Sequence, residues 1–216
     1  MMALSRSPGV LAPEYRIGRC IDAVAVWFVF VAGIPLYGQL PEARLHRVFP
    51  PGGQIGASVD LTVDGIDLDE LDRLVFSHPG ITASPKMAPP QPFDRQPRPL
   101  PGQFTVTISP DVPVGIYEVR GCGLYGTSTA CSFAVSHLPQ VVEQGPNQSL
   151  ASAMPLELNS IVDGRTAADT YDVYQFTATR GTRVLIHCET LRLDSRIDAV
   201  LEVVDASGAN SPAVVI

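Results

Sequence analysis

The side chains here that could do chemistry are four histidines, four cysteines and 22 acidic groups. Acyl transfer by a serine needs a nucleophile on a sharp turn with a base beside it, and the G-x-S-x-G pattern is absent. Zinc hydrolysis on an H-E-x-x-H helix is likewise not encoded. His46, His78, His137 and His187 stand alone along the chain. His78 precedes Pro79 at the end of an apolar run, which reads as a turn residue rather than a general base. His187 sits between Ile186 and Cys188, the place of a sheet histidine. No catalytic residue is assigned, and the expectation is that the chain is not an enzyme.

The carboxylates fall into two groups. Asp64, Asp67, Asp69, Glu70 and Asp72 could attract calcium, but the ligand loop D-x-[DN]-x-[DN]-G is missing. Asp169, Asp172, Asp194, Asp198 and Asp205 leave two roles open, calcium ligation or turn capping, and capping is the simpler reading. No metal site is assigned, and calcium at these aspartates is the one cofactor the residues leave open. Asn147-Gln148-Ser149 spells a glycosylation sequon, a short pattern that carries little weight by itself.

Composition narrows the partners. The 216 residues carry a formal charge of −7, with a single lysine, Lys86. No basic stripe could track phosphates, so nucleic acid is not an expected partner. The 20 prolines and 18 glycines punctuate a chain of short strands and turns.

The N-terminus reads as an export signal. Arg6, Arg16 and Arg19 precede an apolar run over 23–38 that Pro35 and Gly38 interrupt. That run is shorter than the roughly 20 residues of a comfortable membrane span, and Leu36-Tyr37-Gly38 is a tolerable cleavage site. A buried helix or an uncleaved anchor is the alternative. Cys20 precedes the run, so it is no lipidation cysteine. Loss of 1–38 removes three arginines together with Glu14 and Asp22, taking the charge from −7 to −8. Export permits disulfides. Cys122 and Cys131 bracket a glycine-containing turn, and a bridge there would stabilise by roughly 2–3 kcal/mol. Two unpaired thiols are the alternative, and Cys188 is left over.

The elements that would position these groups are strands. Val59, Leu61 and Val63 alternate with polar residues over 58–64. Leu74-Val75-Phe76 is a short apolar run, and Phe104, Val106 and Ile108 alternate with Thr105 and Thr107. Segments 116–120 and 132–135 read as a hairpin. Residues 82–103 hold seven prolines and read as an extended loop outside the sheets, because proline lacks a ladder donor. Downstream, 173–178 and 184–190 read as strands, and Asp205-Ala206-Ser207-Gly208 as a turn. The resulting fold class is all-β: a signal segment (1–38), a short linker (39–44), one sandwich over 45–136, a linker over 137–149, and a second sandwich over 150–216.

Two stretches carry a family resemblance. Phe49-Pro50-Pro51-Gly52-Gly53-Gln54-Ile55-Gly56, Asp64-Gly65-Ile66-Asp67-Leu68, Val75-Phe76-Ser77-His78-Pro79-Gly80 and Pro113-Val114-Gly115-Ile116-Tyr117-Glu118-Val119-Arg120 resemble an immunoglobulin-like IPT/TIG-type domain. That resemblance implies a spacer or interaction module. Asp169-Thr170-Tyr171-Asp172-Val173-Tyr174-Gln175-Phe176, then Gly181, then Leu193-Asp194-Ser195-Arg196-Ile197-Asp198-Ala199 through Asp205 to Gly208, is similar to the bacterial pre-peptidase C-terminal (PPC) domain. Thr170 stands in its first acidic pair, and Ile197 and Ala199 replace its Leu and Pro. This implies a jelly-roll-like sandwich whose acidic residues hold calcium or cap turns. Few residues follow the Asp205 turn, so the second domain is expected to be C-terminally truncated.

Three functions remain. The first is a structural or interaction module of a larger bacterial surface protein, secreted or periplasmic, whose partners are its own downstream domains. The second is an accessory domain of a secreted peptidase. The third is a module for collagen-like or polysaccharide polymers, which would present Tyr117, Tyr125, Tyr171 and Tyr174 on one sheet face. Membrane contact is expected only through the signal segment.

Overall fold

The computed structural model describes residues 41–90, 96–166 and 170–205, so the expected signal segment lies outside the described residues. The first unit holds nine strands: β1 (Arg44–Phe49), β2 (Gly52–Gln54), β3 (Ser58–Ile66), β4 (Arg73–Phe76), β5 (Ile81–Met87), β6 (Pro99–Ile108), β7 (Gly115–Gly123), β8 (Gly126–Thr127) and β9 (Cys131–Ser136). Alternation fixes which side chains go inward. Leu61 and Val63 of β3, Leu74 and Phe76 of β4, and Phe104, Val106 and Ile108 of β6 are all buried. Their polar neighbours face out, as a strand with one buried face requires.

These strands form two sheets, β1-β3-β6-β5 and β2-β9-β7-β4, with β8 paired to β7. β2 runs parallel to β9, and the other pairings are antiparallel. The two inner faces share one core, with Phe76 set edge-on to Phe133 at 5.2 Å between centroids. This is an all-β sandwich with the strand arrangement of the immunoglobulin type. A tyrosine corner marks it: the Tyr117 hydroxyl at the start of β7 donates to the Pro113 carbonyl, 2.7 Å away and four residues upstream.

The proline-dense stretch 82–103 departs from the loop reading. β5 and β6 extend into it and pair as far as Met87 with Pro99, and the Ala88 N–H donates to the Arg98 carbonyl. Pro85 is tolerated because β5 is an edge strand, with a register shift between Pro85 and Met87. Pro99 and Pro101 precede Gln103, the first β6 residue paired to β3, so they interrupt no central ladder.

Downstream, β10 (Gln140–Val142) runs parallel to β12 (Ile161–Asp163), and β11 (Met154–Pro155) runs parallel to β13 (Tyr174–Gln175). The segment 137–149, expected as a linker, therefore contributes a paired strand. Of the two strands expected at 173–178 and 184–190, only Tyr174–Gln175 pairs, and 184–190 holds no strand. Alternation alone makes no strand without a partner ladder. Leu185 is 83% exposed and Val200 90%, so that apolar pattern meets no opposing face among the described residues. No helix among these residues is long and apolar enough to cross a membrane.

The corner and the core are separable by mutation. Tyr117→Phe is expected to lower unfolding stability by about 0.5–1.5 kcal/mol, the net value of one intramolecular hydrogen bond. Phe104→Ala is expected to lower it by about 3–5 kcal/mol through the cavity it leaves. Urea unfolding followed by circular dichroism checks both, and equal losses would show that the corner is no separate device.

Candidate functional site

Strand direction gathers several connections at one end of the first sandwich. β3 finishes there, β1, β4 and β6 begin there, and β7 turns into β8. The β3–β4 connection, 67–72, packs against the β7–β8 turn. Leu124 N–H donates to the Asp69 carbonyl at 3.1 Å, and Asp72 N–H to the Cys122 carbonyl at 3.1 Å. The approach is close enough to require glycine. A Cβ on Gly123 would lie 2.8 Å from the Asp69 carbonyl oxygen, and one on Gly121 would lie 2.6 Å from Leu71 Cδ1. Within this connection Asp67 (φ 52°) and Glu70 (φ 50°) hold left-handed backbone that non-glycine residues seldom adopt.

Beside the connection lies an open notch of about 230 Å³, lined by Val63, Gly65, Leu68, Leu71, Pro101 and Gly102 with Asp64 at its edge. Ile66, Leu124 and Tyr125 at the same end are exposed. So are the carboxylates Asp64, Asp67, Asp69, Glu70 and Asp72. Arg47 pairs with Asp64 at 2.8 Å, and the Asp67 carboxylate accepts the Glu42 N–H at 3.2 Å. This end joins a fixed backbone, an apolar floor and an acidic rim. The acidic run 64–72 was visible in the sequence. Its apolar floor was not, because Val63, Leu71 and Pro101 come together only through strand register.

A second polar cluster organises the downstream strands. Glu143 accepts from the Tyr174 hydroxyl at 2.6 Å, from Asn147 Nδ2 at 2.7 Å and from the Arg165 N–H at 2.9 Å. Burial alone would raise its carboxyl, but these three donors outweigh it and hold it below the ordinary carboxylate range. Burial, reinforced by the Glu143 carboxylate, pushes the Tyr174 phenol up. Asp163, only 6% exposed, accepts from Gln140 Nε2 at 2.6 Å, and burial lifts it to about 6. The Arg165 guanidinium stacks over the Phe49 ring at 3.7 Å, tying the cluster to the first sandwich. None of these hydrogen-bonding roles was assigned from sequence, since partners so far apart along the chain leave no local pattern.

The expected site residues are dispersed. Asp169 lies outside the described residues. Asp172 is half-buried beside Glu143, and burial followed by that neighbour's charge raises its carboxyl. Asp194 ends a 3-10 turn (Leu191–Leu193) in left-handed conformation, and its Oδ2 accepts the Ser132 N–H at 2.6 Å. That contact caps a sheet edge: Ala134 N–H donates to the Pro51 carbonyl at the start of β2, and Ser132 is the next donor beyond β2. Asp198 and Asp205 are exposed. Among the described residues no three His, Cys, Asp or Glu side chains group as ligands for a metal ion.

The structure does not bring Cys122 and Cys131 together. Cys131 pairs with Val119, three residues from Cys122 along β7. The odd offset sends the two side chains to opposite faces, Cys131 into the core and Cys122 outward near Thr127. Burial, then the Asp194 charge, push the Cys131 thiol up to about 11. The four tyrosines do not share a sheet face either. Tyr117 forms the corner and Tyr174 the Glu143 cluster, leaving Tyr125 and Tyr171 exposed. Asn147 of the sequon is buried, with its amide on Glu143. His78 keeps to its turn, where Nδ1 accepts the Gly80 N–H at 3.1 Å. His187, expected in a sheet, lies on an unpaired and exposed segment.

No protein-family model matches the sequence, and no curated protein matches it. Among solved structures, the chain is similar to SGBP-B of the Bacteroides ovatus mixed-linkage glucan utilization locus, determined in complex with a mixed-linkage heptasaccharide. Identity is 16%, and the match covers 51% of this chain and 24% of that one, with a TM-score of 0.31. A likeness of this extent says nothing of ligand or activity.

The buried carboxyl at Asp163 gives the chain a measurable pH response. Below about pH 4 it is protonated in both folded and unfolded chains. As pH rises the unfolded carboxyl ionises first, so this contribution is lost progressively until the folded group titrates near 6. The loss is on the order of 2–3 kcal/mol. Asp163→Asn keeps an oxygen for Gln140. It is expected to remove the decline between pH 4 and 6 and to raise the melting temperature at pH 7. Glu143, held low, loses its contribution as pH falls, and that acid-side limb should persist in the variant. Calorimetry across pH 3–8 checks both limbs.

Proposed function

We propose that this chain is an exported, non-catalytic interaction module, the N-terminal part of a larger bacterial surface protein. The observation that carries the reading is the loop end of the first sandwich. There the β3–β4 connection is bonded to the β7–β8 turn and borders an open apolar notch shared with β3 and β6, and Ile66, Leu124 and Tyr125 are exposed at the same end. Immunoglobulin-type sandwiches present binding loops at their ends, so the topology supports an IPT/TIG-type module for the first unit. The PPC-type assignment of the second unit rests on its motif, with Tyr174 placed at the Glu143 cluster.

The groups best suited to catalysis are committed elsewhere. His78 accepts a backbone N–H in its own turn. The Cys131 thiol is buried and held protonated at neutral pH, the reverse of an activated nucleophile. Export is supported by the arginine-then-apolar pattern of residues 1–38.

Expression with the native N-terminus in a secreting bacterium tests export. Mass spectrometry is expected to find a product outside the cytoplasm that begins near Gln39; a cytoplasmic product retaining Met1 would sink it. Purified residues 39–216 are expected to leave casein and generic esters unhydrolysed. Activity that survives repurification and disappears on mutating a Ser–His pair would overturn the non-catalytic reading.

A further inference from the structure

We propose that the loop end binds an extended, cationic peptide segment of a partner protein, with an aliphatic side chain seated in the notch and basic side chains on the rim. The inference rests on the reading of the chain as an interaction module and names the partner of that site. Three observations select this chemistry. The notch floor is aliphatic, made by Val63, Leu68, Leu71 and Pro101. The rim is acidic: Asp69, Glu70 and Asp72 are exposed on one short connection, next to Asp64 and Asp67. The Asp69 carbonyl accepts the Leu124 N–H and the Asp72 N–H donates to the Cys122 carbonyl, so the carboxylates project from backbone held at two points.

Charge decides between partners. Arg47 is paired with Asp64 and Arg44 lies on Glu42 at 2.6 Å, while exposed Arg73, next to Asp72, offsets one of the remaining rim charges. Asp69, Glu70 and Asp72 on one connection leave the rim acidic, and the whole chain is at −7. Such a field draws in basic ligands and repels acidic polymers. In an extended peptide, side chains two apart lie about 6.6–6.8 Å from one another on the same face, while the intervening ones point away. A sequence alternating leucine with lysine can therefore set leucine in the notch and let flexible lysines reach the rim. A neutral glycan would want stacked aromatic platforms, and among the described residues no aromatic ring lines the notch.

The test uses the full chain and a fluorescein-labelled hexapeptide of alternating lysine and leucine, read by anisotropy. Binding is expected at low salt and should weaken about tenfold or more between 50 and 300 mM salt, as exposed charge pairs are screened. The triple variant D69K/E70K/D72K, confined to exposed side chains, should bind the peptide at least about tenfold more weakly with an unchanged circular dichroism spectrum. It should gain affinity for the glutamate–leucine counterpart, which the native chain rejects. Leu68→Ser should weaken the lysine peptide severalfold without changing the salt dependence. No binding, or equal binding by native and charge-reversed chains, overturns the proposal. A neutral β-glucan oligosaccharide that protects 66–72 and 123–126 from hydrogen exchange, where the peptide does not, overturns the cationic partner and leaves the interaction module standing. If neither ligand protects those segments, the loop end loses its place in both readings.

Discussion

The two sheets of residues 44–136 meet over Phe104 and Phe133, and both side chains are buried to within about a hundredth of their surface. Each sheet has a single apolar face, so neither could persist in water without the other. That meeting dictates the rest. It fixes which end of each strand opens into which connection, and so places 67–72 beside the β7–β8 turn. It also turns Tyr117 inward, where its ring meets His78 edge-on and its hydroxyl reaches Pro113. The outward faces stay polar, as at Asp60, which accepts from both Lys86 and Thr105.

Local pattern was enough wherever one strand face is buried. The period of two over 58–64 and 104–108 reads directly as β3 and β6, and the 116–135 hairpin as β7 with β9. It was misleading where the answer lay in a neighbour. Prolines at 85, 99 and 101 look incompatible with a sheet until β5 is known to be an edge and β6 to lack a β3 partner there. Cys122 and Cys131 look like a bridge across a turn until pairing puts Cys131 opposite Val119. Val184, Leu185 and Ile186 look like a strand, yet no ladder meets them. The acidic rim was legible as a run of carboxylates, but the notch beneath it needs β6, which lies some thirty residues away from 67–72 in sequence.

The downstream half depends on polar groups more than on a core. Two parallel pairs of two or three residues have little stability of their own. Here Glu143 joins β13 through Tyr174 and the segment after β12 through the Arg165 N–H, while Asn147 donates to the same carboxylate and its carbonyl accepts the Val173 N–H. One carboxylate held charged and another, Asp163, lifted by burial sit on paired neighbours, since Glu143 N–H donates to the Asp163 carbonyl. Their opposite responses to protons narrow the range of pH over which this half is most stable.

Asp194 has a consequence for the molecule in a crowd. β2 covers β9 only from Ala134 onward, so Ser132 would offer the first bare N–H on that border. Another molecule extending the sheet there would need that donor, together with the carbonyls that alternate with it. An ionised carboxylate takes the donor and presents only acceptors in its place. The border thus ends there in oxygen atoms that have no proton to give an incoming strand, and the side chain that supplies them comes from 62 residues downstream.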